Sequence, residues 1–93
     1  MALIFEWDSK KERANRRKHG ISFDEARTIF SDPQELLIAD PEHSEDEERL
    51  ISVGISNRKR ILLVVYTEKG DRIRLISARR AAPREQEQYE KGS

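Results

Sequence analysis

Ninety-three residues, 35% hydrophobic and 39% charged, describe one small polar domain (residues 1–93) with a modest core and room for partner-facing surface. The absence of cysteine excludes a disulfide framework and a thiolate metal site, and no apolar run approaches the roughly 18 residues of a membrane span. Net charge is zero, and without a basic n-region at its start the expected location is the cytoplasm.

Ala2 to Trp7 alternates weakly and is expected as a strand with Leu3, Phe5 and Trp7 on one face. Asp8 or Ser9 then caps a helix over Ser9 to His19. Its only apolar residue is Ala14, so it packs lysine and arginine stems on a sheet or lies on the surface. The next stretch, Lys18-His19-Gly20-Ile21-Ser22-Phe23-Asp24-Glu25-Ala26, reads as a helix stop and a new start. Gly20 suits the left-handed conformation that closes a helix. Ser22 and Glu25 have capping-box spacing, with Ile21 and Ala26 placed for a hydrophobic staple. Lys18 and His19 complement the helix dipole, or are basic groups displayed beside a cleft. A second helix, roughly Phe23 to Phe30, carries Phe23, Ala26, Ile29 and Phe30 as its core stripe, and Asp32-Pro33 ends it.

Glu35 to Ala39 reads as a short strand and Asp40 to Glu48 as an acidic loop. Arg49 to Ile55 is a third strand, with Arg49, Ile51, Val53 and Ile55 sharing one parity. Arg60 to Thr67 is the most apolar strand and the expected centre of the sheet. After a turn containing Gly70, Arg72 to Arg80 forms a fifth strand. Strict alternation puts Ile73, Leu75, Ser77 and Arg79 on one face and Arg74, Ile76, Ala78 and Arg80 on the other. Pro83 suits the first turn of a last helix reaching about Lys91. The order β-α-α-β-β-β-β-α predicts an α+β fold, an antiparallel sheet with the helices on one face.

The zero net charge hides a segregation. Residues 10–19 and 72–84 are basic, whereas Asp40, Glu42, Glu45, Asp46, Glu47 and Glu48 form an acidic block. A basic pole suits phosphates and an acidic pole suits a basic partner. The two histidines, His19 and His43, are far apart, and calcium-loop, glycine-rich phosphate-loop and serine-elbow spacings are all absent, so neither metal nor cofactor is expected. Arginines on strands remain. Arg79, on a core-side parity, needs an anion, which a carboxylate such as Glu25 or a phosphate would supply; Arg49 poses the same alternative. Together with Lys18 and His19 they could serve phosphoryl transfer without a metal, if the fold assembles them.

Phe5-Glu6-Trp7-Asp8, then Lys11, Asn15, the segment Lys18 to Ala26, Phe30-x-Asp32, Glu48-Arg49, Gly54, Val64 to Thr67 and Arg74 to Arg79 together resemble the BrnT family over about residues 5 to 89. The resemblance implies a RelE-like α+β fold and the ribonuclease toxin of a type II toxin–antitoxin pair, one that arrests translation. It also implies neutralisation by a BrnA antitoxin with a ribbon-helix-helix DNA-binding domain, the complex repressing its own operon. The family's basic pair falls on Lys18 and His19, its acidic helix position on Glu25, and its strand arginines on Arg49 and Arg79. These five are the candidate catalytic residues, for a metal-independent endoribonuclease acting on RNA and touching operator DNA only through the antitoxin. The neutral charge departs from the basic character usual in an RNA-cleaving toxin. The alternative is a noncatalytic module that holds a ribbon-helix-helix partner.

Overall fold

A computed structural model describes residues 2–39 and 49–92; the predicted acidic loop lies outside the described residues. The elements are β1 (Ile4–Glu6), α1 (Ser9–His19), α2 (Phe23–Ala26) running into a 3₁₀ turn (Arg27–Ser31), β2 (Leu36–Ala39), β3 (Arg49–Ile55), β4 (Ile61–Lys69), β5 (Arg72–Arg80) and α3 (Pro83–Lys91). They build an α+β fold with one five-stranded sheet in the order β1-β5-β4-β3-β2. Strands β2 to β5 pair antiparallel, as expected. Strand β1 joins β5 in parallel, because the chain crosses the sheet through the helices before it starts β2 at the far edge.

Local chemistry explains the helix boundaries. Asp8 caps α1 by accepting from the Lys10 and Lys11 amides at 2.7 and 3.2 Å. Gly20 closes it at φ 73°, in the left-handed region that a side chain would strain. Ser22 accepts from the Glu25 amide at 3.0 Å and opens α2. The Glu25 carboxylate does not complete that capping box; it turns to Arg60 and Ser56 instead. The expected staple residues Ile21 and Ala26 are both fully buried.

On the helix face of the sheet, Ile21, Phe23, Ala26 and Ile29 pack against Leu62, Val64, Tyr66, Ile73, Leu75 and Ala78. Trp7 meets Phe23 edge-on at 6.0 Å, and Phe30 meets Tyr66 edge-on at 4.9 Å. Gly54 permits close packing of the 3₁₀ turn on β3: a Cβ there would stand 3.0 Å from Ile29 Cβ. The polar helix α1 is held by one buried amide. Strand β1 stops opposite Arg74, leaving the β5 edge open beyond it. Asn15 fills the gap, its amide donating to the Ala78 carbonyl at 2.9 Å and its oxygen accepting from the Ala78 N–H at 3.1 Å. The same amide donates to the Ile21 carbonyl at 2.9 Å and so also fixes the turn after α1.

Two further expectations change. The helices do not all share one face: Tyr89 of α3 joins Ile38, Ile51, Ile61 and Val65 around Val53, Leu63 and Ala81, on the side opposite α1 and α2. The alternating apolar residues of β3 and β4 give the sheet a second apolar face, and α3 covers part of it. Asp32 anchors that helix, accepting from the Tyr89 hydroxyl at 2.6 Å and from the Ile55 amide at 2.9 Å. The alternation predicted for β5 also fails. The register with β4 shifts between Val65, opposite Ser77, and Tyr66, opposite Leu75. Ile76 is the extra residue of a bulge, which reverses the parity of everything after it.

Candidate nucleic-acid interface

The bulge decides where the arginines point. Ile73 and Leu75 stay on the helix face with Ala78, opposite Val64. Arg72, Arg74, Ser77 and Arg79 therefore share the other face, which in β3 carries Arg49 and in β4 carries Thr67. Pairing sets Glu6, Arg74, Thr67 and Arg49 in one row across β1, β5, β4 and β3. Arg49 and Arg74 stand two strands apart, about 10 Å by sheet spacing. Helix α3 covers the part of this face around Val53 and Leu63, next to Arg79.

The arginines differ in how firmly they are held. Arg72 and Arg74 meet Glu6 at 3.1 and 3.5 Å while more than half exposed. Such exposed pairs contribute little and yield readily to a phosphate. Arg79 is gripped more firmly, donating to both Glu85 oxygens of α3 at 2.9 and 3.0 Å. Glu85 also accepts from the Ala82 amide at 2.7 Å. The Arg79 guanidinium, assisted by that amide, holds the Glu85 carboxyl below the usual range against the opposing effect of burial.

The five sequence candidates fall into three places. Arg49 and Arg79 share the arginine face. Lys18 and His19 are exposed at the basic end of α1, in the turn after Asn15, which is pinned to Ala78 beside Arg79. The helix meets the strand that carries Arg79 at its open edge through Asn15. Glu25 stands apart and does not meet Arg79. Buried in α2, it bonds to the Ser56 hydroxyl at 2.7 Å and makes a two-pronged pair with Arg60, Nε at 2.9 Å. Burial pushes its carboxyl up, but the Arg60 and Ser56 hydrogen bonds outweigh it and the net shift is downward. Arg74 and Thr67 were not among the candidates, because their cross-strand row with Arg49 depends on register. Among the described residues, no group of three or more His, Asp or Glu side chains is placed to hold a metal ion, and no helix is long and apolar enough to cross a membrane.

A sequence profile for a family described as the ribonuclease toxin, BrnT, of type II toxin–antitoxin systems matches residues 7–85. The chain is similar in structure to the Brucella abortus ribonuclease toxin BrnT, with a TM-score of 0.64 at 25% sequence identity, over 88% of this chain and 97% of that one. No curated protein matches it. The profile spans the capped helices, the β3–β5 meander and the Arg79–Glu85 pair, and the chain belongs to the BrnT family, ribonuclease toxins of type II toxin–antitoxin systems.

Proposed function

We propose that residues 1–93 form a metal-independent endoribonuclease domain that cleaves RNA through the 2′-hydroxyl and thereby arrests translation. The 2′-oxygen loses its proton and attacks the adjacent phosphorus. The bond to the 5′-oxygen breaks, that oxygen takes up a proton, and a 2′,3′-cyclic phosphate remains. The observation that carries the reading is the placement of Arg49, Arg74 and Arg79 on one sheet face. Arg49 and Arg79 stabilise the charge that develops on the phosphorane oxygens. Lys18 and His19 move the protons, an imidazole being suited to this near neutral pH. Glu25, with its carboxylate committed to Arg60 and Ser56, fixes α2 against the β3–β4 turn. A BrnA-like ribbon-helix-helix antitoxin neutralises the toxin, and the complex reaches operator DNA through the antitoxin.

One observation favours a second reading, a noncatalytic module that holds the antitoxin. The Arg79 guanidinium already carries a carboxylate, Glu85, where a phosphate would sit. Purified protein and a short RNA in the presence of a chelator separate the two. Catalysis predicts cleavage unaffected by the chelator, cyclic phosphate ends, and no cut at a nucleotide lacking its 2′-hydroxyl. Persistent cleavage of the deoxy-substituted site would end the proposed mechanism, and intact RNA throughout would favour the module.

A further inference from the structure

The helices leave part of their own sheet face uncovered. Beyond Phe30 a groove of about 320 Å³ runs from Leu3, beside β1, to Leu37 on β2, with Tyr66 and Ile73 on its floor. Its lining comes from the residue before β1, the 3₁₀ turn, the approach to β2, and strands β2, β4 and β5, a breadth that suits a helix or an extended segment. Leu3 and Leu37 are 42% and 61% exposed, and with Ile4 they are the exposed large hydrophobic residues of the described chain. Two carboxylates, Glu35 and Glu68, complete the lining, which contains no basic residue.

The groove floor is polar in a specific way. Ser52 hydrogen-bonds with Glu35 and shares a 2.7 Å hydrogen bond with the Tyr66 hydroxyl. Burial first, and then the charges of Asp32 and Glu68, push the Glu35 carboxyl up despite the Ser52 bond. A desolvated carboxylate beside a second one is relieved by an incoming cation. RNA, a polyanion, is repelled here and attracted to the opposite face.

From this charge complementarity we infer that the groove is the anchoring site for the antitoxin, through a segment whose aliphatic side chains meet Leu3, Phe30 and Leu37 and whose lysine or arginine reaches Glu35 and Glu68. The inference rests on the reading of this chain as a toxin with a protein antitoxin. It places antitoxin anchoring and RNA contact on opposite faces of one sheet, so substitutions in the groove leave RNA cleavage intact.

The test titrates the full-length cognate antitoxin into the toxin by calorimetry, using wild type, Leu37→Asp and the double variant Glu35→Gln/Glu68→Gln. Leu37 is exposed, so its variant folds; thermal melting checks both. Each variant should bind about tenfold or more weakly, and the double variant should also lose part of the salt dependence. RNA cleavage by the free variants should match wild type. Unchanged affinity in both variants would overturn the groove assignment alone. Absence of antitoxin binding by wild type would overturn the toxin reading with it. Lost RNA cleavage with antitoxin binding retained would give the groove to RNA, and a wild-type dimer that Leu37→Asp dissociates would give it to a second copy of the chain. Either result overturns the inference.

Discussion

Glu25 and Arg79 each invite pairing with the other from sequence alone, yet the structure gives them separate partners. Glu25 lies buried against Arg60 and Ser56, and Arg79 grips Glu85. The difference bears on pH. Folding lowers the Glu25 carboxyl below its ordinary value of 4.5, so the folded state binds that proton less readily than the unfolded chain. The stabilisation is fully present above pH 4.5 and is lost as pH falls through the lower folded value. Chemical denaturation of wild type should lose stability as pH drops below that point. Glu25→Gln, less stable at neutral pH, should show a shallower loss over the same acid range. An identical acid slope in the two proteins would mean that Glu25 is not the group responsible.

At the scale of elements, α1 shows how a nearly all-polar helix can be firmly placed. Its anchor is the Asn15 amide, which bonds to both backbone groups of Ala78 and to the Ile21 carbonyl. Asn15→Ala would strand three buried backbone groups. The expected cost is about 3 kcal/mol, since each unsatisfied group costs about 1–3 and water recovers part of it. Urea denaturation would measure it; a loss below about 0.5 kcal/mol, the range of an ordinary surface change, would show that α1 is held by other contacts. Sequence pattern located α1, β3, β5 and α3 closely, because capping residues, a proline and alternating apolar runs are local signals. It missed what depends on register. The Ile76 bulge has no local signature in Leu75-Ile76-Ser77-Ala78, so strict alternation puts Arg79 on the wrong face. The partner of Arg79 was missed because Glu85 lies in another element. The placement of α3 followed from the second apolar face of β3 and β4, which the alternation of Ile51, Val53, Leu63 and Val65 contained but did not assign.

For the molecule as a whole, zero net charge conceals two chemically different sheet faces. One carries Arg49, Arg72, Arg74 and Arg79 beside α3; the other packs α2 and the 3₁₀ turn and holds a groove with Glu35 and Glu68. RNA binding through a local arginine surface on a neutral chain engages few phosphates at once, so the proposed affinity should depend on salt less steeply than that of a uniformly basic protein. The central claim is that the arginine face performs RNA cleavage. The most direct measurement is induced expression in a bacterium lacking the antitoxin, with total RNA examined beside an Arg79→Ala control whose folding is confirmed by thermal melting. The account predicts growth arrest and fragmented RNA with wild type, and with the folded control a loss of fragmentation of about 10²–10³-fold, the scale expected for one transition-state charge contact. Equal arrest and fragmentation by the folded control would contradict the role of Arg79, and normal growth with intact RNA under wild-type expression would contradict the catalytic account itself.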